Sequence, residues 1–513
     1  MNSNQDTERS TKENAALEGL TGRVLGGSTW AIVGTAVPFV ATFFSSPFVI
    51  RLLGPDGYGV LVLIGMIPNY ASFALLGMGM ASTKFGGDAR AEEDLNGERK
   101  VFWTAGIICI TSLSICVLPI IIFSHQIALA LKIPDEWLFE ASVAIKIASV
   151  GMVLTSLSFV ANTPQIVRLR LDLNTLINSS GKVLGAVSVP LALWMGGKVI
   201  AAAAVGAVAS SLTLIAELLV SGKLVRGFGW PSFNKDLARR LLRYGLPLTL
   251  AGAALIVLTN LDRLVLTQYV SIEMIAYYSV AAMLARMVRT LSFSVTRAIT
   301  PAFVLLQKPE KRNELEDLFE RLVRANLIWA VPAAVAMSVL AEPFFSIWAG
   351  PEFGANSPLP FYILVCGLLV DVYSYVPMSS ILAKGRTDLP AKINWALLGP
   401  YVVLLVILIS NLGIVGAALA WSVRMAVSGL AFTFAARSST GLSFPFRKWL
   451  GRLVVCALPL VLPALLTSFA DASYLLILPS LLLSLSIYAF AAWRLLVLDE
   501  EKAWLIAKTR KLF

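Results

Sequence analysis

Arginines recur along one face of an apolar segment between residues 275 and 300. Arg289 and Arg297 follow Arg286 by three and eleven positions, a spacing that places the three side chains on one side of an α-helix. A guanidinium is a permanent cation whose planar fork of N–H donors fits phosphate or carboxylate oxygens. The pattern therefore predicts a cationic wall that binds an anion. The alternative, in which these side chains pair with acids or reach back to the aqueous surface, stays open, above all for Arg297.

Two further cations, Arg424 and Lys182, stand near the centres of other apolar segments. A charge at the centre of a lipid-facing helix costs about 2.5–3.5 kcal/mol. One leucine or phenylalanine returns only about 0.5 kcal/mol. We therefore predict that Arg424 faces a protein interior or an aqueous cavity. For Lys182, a place in the cavity lining and a structural role both stay open.

Carboxylates are fewer in the apolar segments. Asp371 shares a helical face with Ser374 and Tyr375, and Asp262 follows Asn260 in the sequence LTNLDRLVL. An intramembrane carboxylate can carry a coupling proton or bind a cation. Asp371 and Asp262 are the candidates for ion coupling, although each could instead form a structural ion pair. Glu217, near the end of its segment, is predicted to be structural.

The composition requires a membrane. The 513 residues are 57% hydrophobic and 14% charged, against about 25% charged in a soluble protein. Because lipid cannot satisfy backbone hydrogen bonds, long continuous apolar runs predict an all-α polytopic membrane protein. A single histidine and four cysteines without a CxxC pair predict no metal site. The net charge of +11 is assigned to loops that set topology, not to nucleic-acid binding.

Fourteen apolar segments have the length of a transmembrane helix. They cover about 24–50, 58–83, 101–124, 139–162, 173–195, 198–220, 245–268, 275–300, 325–347, 359–383, 393–410, 413–436, 453–470 and 472–493. Nearly all loop lysines and arginines fall on the side of the two termini, and the other side holds Arg51, Lys132 and Lys198. This bias predicts that both termini are cytoplasmic.

The chain also contains an internal repeat. Residues 48–66 and 264–283 each combine the end of a long apolar helix, a short loop with an acid, and tyrosine at the start of the next helix. An offset of six spans predicts two parallel six-helix lobes in pseudo-twofold relation, followed by two more helices. The predicted divisions are a disordered cytoplasmic tail (1–22), an N-lobe (23–230), a C-lobe (231–440) and a C-terminal helix pair with a tail (441–513).

Three stretches carry a family resemblance: RLLGPDGYGVLVL (51–63), KDLARRLLRYGLPLTL (235–250) and NLDRLVLTQYVSIEMIAYYSVA (260–281). They resemble the bacterial O-antigen and exopolysaccharide flippases of the multidrug/oligosaccharidyl-lipid/polysaccharide exporter superfamily. The resemblance implies two six-helix lobes around a cationic cavity. It also implies transfer of a polyprenyl-pyrophosphate-linked glycan from the inner to the outer leaflet of the bacterial plasma membrane.

The resemblance implies a transporter that is not an enzyme and works by alternating access. Its partners would be the glycolipid, membrane lipid, H⁺ or Na⁺ and the polysaccharide polymerase machinery. The sequence has no ATP-binding motif and predicts no cofactor, so an ion gradient would supply the energy. Three alternatives remain: a cation-coupled multidrug exporter of the same superfamily, a lipid II flippase, and a membrane glycan polymerase or ligase. The excess of arginines over acids disfavours the exporter, and the short outer loops disfavour the enzyme.

Overall fold

The computed structural model describes residues 3–286, 303, 306, 311–440, 446–463, 465, 474–499 and 501–503. Most of these residues are helical, and no strand occurs among them. Ten helices within the described ranges are long and apolar enough to cross a membrane. The predicted class, an all-α polytopic membrane protein, is therefore confirmed, whereas the number of fourteen spans stays a prediction.

The chain divides into two compact units, Met1–Asn260 and Leu261–Phe513. Helix α1 begins at Ser3 and so includes part of the segment 1–22, for which the sequence predicts a disordered tail. The predicted boundaries of the lobes and tails, and the pseudo-twofold relation, stay predictions.

The first unit contains eight helices and most of a ninth. They are α1 (Ser3–Ala71), α2 (Met78–Ala91), α3 (Leu95–Ile122), α4 (Ser124–Ala130), α5 (Asp135–Ala161), α6 (Thr163–Val167), α7 (Leu171–Trp194), α8 (Val199–Leu224) and α9 (Lys235–Tyr269). Helix α8 packs against α5 and α7, and α7 packs against α1.

Small residues permit these close helix contacts. A Cβ atom added to Gly151 of α5 would lie 3.2 Å from the Cα atom of Ala207 in α8. A Cβ atom on Gly185 of α7 would lie 3.7 Å from the Cβ of Ala209. Because lipid tails give helices no hydrophobic reason to associate, such close backbone packing is a main source of their attraction.

The second unit begins with the end of α9 and continues with a helix over residues 272–286, here α10. It then contains α11 (Arg312–Val339), α12 (Ala341–Trp348), α13 (Pro351–Asn356), α14 (Pro358–Ala383), α15 (Asp388–Thr440), α16 (Phe446–Ala457) and α17 (Tyr474–Leu495). Helix α14 packs along α15 and α11. A buried apolar cluster joins α16 and α17 to α11, and the Tyr488 hydroxyl donates to the carbonyl of Ile328 over 2.8 Å.

Two long helices are broken at a glycine. Gly54 in α1 has φ 69° and ψ 175°, and Gly413 in α15 has φ 56° and ψ −131°. Positive φ carries a steric penalty for any residue with a Cβ atom, which glycine lacks. Each break falls where the sequence predicts an outer loop, so α1 and α15 each cover two of the predicted spans.

Candidate functional site

Arg424 lies inside the second unit. It follows the break at Gly413 by eleven residues, about 16 Å along α15. Its side chain is buried, with 7% exposed, and its guanidinium carbon lies 5.0 Å from the ring centroid of Tyr401. This is a cation–π contact. The buried Nε has no hydrogen-bond acceptor within the described ranges, and no carboxylate pairs with Arg424 there.

A second set of polar side chains is buried in the same unit. Asp262, near the end of α9, accepts a hydrogen bond of 2.5 Å from the hydroxyl of Tyr278 in α10. The backbone N–H of Arg263 donates to the other carboxylate oxygen over 2.8 Å. The Nε of Arg263 donates to the Ser279 hydroxyl over 3.1 Å. All four side chains are buried.

Tyr401 links the two sets electrostatically. Its phenol interacts with Asp262, Arg263 and Arg424, and the phenol of Tyr278 interacts with Asp262, Arg263 and Tyr401. We call Asp262, Arg263, Tyr278, Tyr401 and Arg424 the arginine–tyrosine cluster. It holds two permanent cations and one acid, so its formal charge is positive with Asp262 ionised. Such a cluster has the chemistry to hold an anion.

Asp262 was a sequence candidate for ion coupling, with a structural role as the alternative. Within the described residues its two carboxylate oxygens accept from a tyrosine and from a backbone amide. These bonds tie α9 to α10 and hold Asp262 beside Tyr278. Its role in coupling stays a prediction.

Asp371, the other candidate for ion coupling, is buried on α14. The Tyr375 hydroxyl, one turn later, donates to its Oδ2 over 3.3 Å, and Asp371 has a further polar partner. Ser374, on the same face, lies where α14 meets α15, because a Cβ atom on Gly429 would lie 2.6 Å from its hydroxyl oxygen. The carboxyl of Asp371 is thus buried and has partners in place, and its role in coupling stays a prediction.

The predicted cationic stripe can be followed only at its start. Arg286 is half-buried at the end of the described part of α10 and has a polar partner. Arg289 and Arg297 lie outside the described residues. The stripe therefore stays a prediction.

Lys182 belongs to the other unit. It lies on α7 with an exposed side chain. Asn178, one turn earlier, bonds to Glu217 of α8, and Ser179 donates to the Gly34 carbonyl of α1 over 3.3 Å. Lys182 thus follows a turn that contacts two neighbouring helices, and its place in a cavity lining stays a prediction.

Glu217 is held by amides. Its side chain is 0% exposed. Gln165 of α6 donates through Nε2 to Oε2, and Asn178 of α7 donates through Nδ2 to Oε1 over 2.7 Å. The sequence predicts a structural role for Glu217, and no cation pairs with this carboxyl in the described part of the chain.

Sequence reasoning missed the partners of Arg424 and Glu217. Tyr278 and Tyr401 look like ordinary aromatic residues of apolar helices, and Gln165 lies in a short helix between two spans. The sequence offered one signal for these partners, their polarity. Arg263, Gln165 and Asn178 are polar residues in or beside apolar runs. No group of three or more His, Cys, Asp or Glu that could hold a metal ion occurs within the ranges described.

The chain is similar in sequence to a protein of Shigella flexneri named "Putative O-antigen transporter". The two are 23% identical over 416 residues, which cover 79% of this chain and 96% of that protein. The similarity extends over nearly the whole relative, so it includes both units of this chain.

Solved transporter structures share the fold. A structure titled as the lipid II flippase MurJ in an inward closed conformation covers 91% of this chain and 98% of its own, with 14% identity and a TM-score of 0.68. An inward-facing MATE family multidrug resistance transporter of the MOP superfamily covers 80% of this chain and 98% of its own, with 13% identity and a TM-score of 0.66. These likenesses establish the fold.

A family model described as polysaccharide biosynthesis protein matches residues 48–357. The resemblance to polysaccharide flippases read from the sequence motifs is confirmed by this match together with the transporter relative. Since the match covers more than half of the chain, the protein belongs to the polysaccharide biosynthesis protein family.

Proposed function

We propose that the protein is a flippase for polyprenyl-pyrophosphate-linked oligosaccharide repeat units. It moves them from the cytoplasmic to the outer leaflet of a bacterial plasma membrane by alternating access, makes and breaks no covalent bond, and draws energy from an ion gradient. Both termini are cytoplasmic in this proposal. The polymerase machinery that uses the glycan is a partner on the outer side.

Buried Arg424 is the observation that carries the proposal. An unpaired buried polar group costs free energy, and a charged one costs more than a neutral one. Arg424 lies on Tyr401 with its Nε directed to no acceptor within the described residues. A diphosphate offers the paired acceptor oxygens that a guanidinium fork fits. Substrate binding would then compensate the burial of this charge.

The relatives support the choice of substrate. The Shigella relative is named as an O-antigen transporter, and MurJ is titled a lipid II flippase. Both names describe movement of a glycan or glycolipid across a membrane. A lipid-linked glycan has three parts that require different surroundings: a charged diphosphate, a hydrated sugar and an apolar tail. The arginine–tyrosine cluster suits the first of these.

Transport by purified protein tests the proposal. The protein is reconstituted in liposomes with a labelled polyprenyl-pyrophosphate oligosaccharide, and transfer between leaflets is followed by access of a glycan-cleaving enzyme. We expect Arg424→Ala to lower the rate by about tenfold or more, because a hydrogen bond to a charged group contributes about 1.5–3 kcal/mol. Arg424→Lys should retain part of the rate, since lysine keeps the charge without the fork.

Arg437 provides the matched control. It lies on the same helix, α15, with an exposed side chain, so Arg437→Ala should transport at the wild-type rate. An unchanged rate in Arg424→Ala would contradict the role of this arginine. Movement of cationic drugs in place of the glycolipid would establish the exporter, and lengthening of the glycan would establish a polymerase.

A further inference from the structure

Two buried glutamates of the first unit differ in their partners. Glu98 of α3 pairs with Arg168 through both carboxylate oxygens, with Nη2 and Oε2 2.9 Å apart. Among the described residues, Glu217 of α8 accepts from the side-chain amides of Gln165 and Asn178. The first carboxylate has a counter-charge in place and the second has none among the described residues. A buried carboxyl without a cation avoids the cost of its charge by taking up a proton.

The neighbouring charged groups are engaged elsewhere or exposed. Arg168, at the end of α6, pairs with Glu98, and Arg170 pairs with Asp172 at the start of α7. On α5, Glu140 pairs with Lys198 over 3.0 Å. Among the described side chains on α5, α7 and α8, the remaining charged ones are exposed, at Asp135, Glu136, Lys146, Lys182 and Lys223. Arg51, on α1, is exposed and has a polar partner of its own.

The hydrogen bonds around Glu217 can accommodate both states of the carboxyl. With the carboxylate ionised, the amides of Gln165 and Asn178 each donate to one oxygen. Gln165 Nε2 also lies 3.2 Å from the hydroxyl oxygen of Ser221. A half-turn of the Gln165 amide presents its carbonyl oxygen instead, and an amide oxygen accepts from a protonated acid. Asn178 keeps its place in either state, because the same Nδ2 also donates to the carbonyl of Asn174.

The donor set discriminates between a proton and a metal cation. Hard cations are bound by oxygen ligands, whereas the groups facing the carboxyl oxygens of Glu217 are amide nitrogens. With both amides in this orientation, N–H groups face the two carboxyl oxygens and disfavour a sodium ion, which needs several oxygen ligands, whereas a proton needs only the one acceptor that a turned Gln165 amide supplies.

We propose that Glu217 is a proton-binding site and that its Oε2 takes up the proton whose gradient drives transport. Protonation changes the bond that joins α6 to α8, while Arg168 holds the end of α6 to α3. The tie between these helices therefore depends on the charge of Glu217. The role of this proton in driving transport rests on the proposed function. The presence of a proton-binding site at Glu217 does not.

Infrared spectroscopy on the purified full-length protein tests the site without glycolipid. We expect a C=O stretching band of a protonated carboxylic acid that disappears as the pH is raised. The band should be absent in Glu217→Gln and retained in Glu98→Gln, the matched buried glutamate with an arginine partner. In Glu217→Asp the band should shift in frequency, since an acid remains on a shorter stem. A band that is unchanged in both Glu217 variants would overturn the proposal.

Reconstituted protein then tests the coupling. A pH gradient should raise the rate of glycolipid transfer several-fold in the wild type, and Glu217→Gln should lose this response. A full response in Glu217→Gln would refute coupling through this site. Absence of glycolipid transfer by the wild type would instead refute the proposed function, and the infrared assignment would stand.

Discussion

At the residue scale, the buried charges of the second unit differ in their partners. Arg324 pairs with Glu320 and Glu501, whereas Arg424 and Asp262 pair with no opposite charge among the described residues. Within the part of the chain that the structure describes, Arg424 contacts a tyrosine ring and no carboxylate, whereas Asp262 accepts from a tyrosine hydroxyl and a backbone amide. Neither interaction neutralises a full charge. The arginine–tyrosine cluster is therefore more costly to fold than an apolar core of the same size, which is expected of a binding site and not of a structural element.

The Tyr278 hydroxyl offers a direct measure of that cost. In Tyr278→Phe, Asp262 loses a hydrogen-bond donor in a buried position. We expect the free energy of unfolding to fall by about 1–3 kcal/mol, seen as a lower midpoint of thermal unfolding in detergent. Tyr269→Phe is the control because Tyr269, at the end of α9, is 48% exposed. Equal midpoints for both variants would show that the bond to Asp262 contributes nothing.

At the element scale, the position of Arg424 depends on the contact between α14 and α15. Gly367 of α14 faces Ser422, two residues before Arg424, and the Ser422 hydroxyl donates to the Ile363 carbonyl over 2.8 Å. A Cβ atom on Gly367 would lie 2.6 Å from the Cα of Ser422. Backbone atoms cannot move aside as a flexible side chain can. A methyl group here must displace one helix from the other.

We therefore expect Gly367→Ala to destabilise the protein by about 1–3 kcal/mol and to slow glycolipid transfer by displacing Arg424. Thermal unfolding and the liposome assay measure the two effects. Gly399→Ala on α15 is the matched control, since no atom lies within 4 Å of its added Cβ. A helical alanine should leave stability unchanged or raise it by up to about 1 kcal/mol. The contact is unimportant if Gly367→Ala unfolds at the wild-type temperature.

At the scale of the whole molecule, the distribution of charge predicts how the chain is threaded through the membrane. Lys198 immediately precedes α8, and Lys223 lies in its last turn. Because loop lysines and arginines concentrate on the cytoplasmic side, the exceptional Lys198 is expected outside and Lys223 inside.

Cysteine labelling in intact cells measures this orientation. In a variant whose four native cysteines are replaced by serine, Lys198→Cys should react with a membrane-impermeant maleimide. Lys223→Cys should react only after the cells are permeabilised. Both side chains are exposed, so access of the reagent is not limited by packing. The reverse pattern would invert the predicted topology and place both termini outside.

How much of the site could be predicted from the sequence depends on how far along the chain each sequence pattern reaches. Hydropathy and helical period are local, so they identified the apolar helices, the loops at Gly54 and Gly413, and Arg424 as a charge that needs a protein interior. They also identified Asp262 and Asp371 as buried acids. They could not identify Tyr401 as the partner of Arg424, because the two residues lie on opposite sides of the break in α15.

The sequence by itself determined that this protein is helical and lies in a membrane, because a chain with so few charges cannot shield its apolar surface from water. Its motifs also determined the family. Only the tertiary structure decided which charges are compensated. It gave Glu98 an arginine and Glu217 two amides, and it set Arg424 against a tyrosine ring. The physical reason is that compensation depends on distances of a few ångströms between residues of different helices, and hydropathy records nothing of those distances.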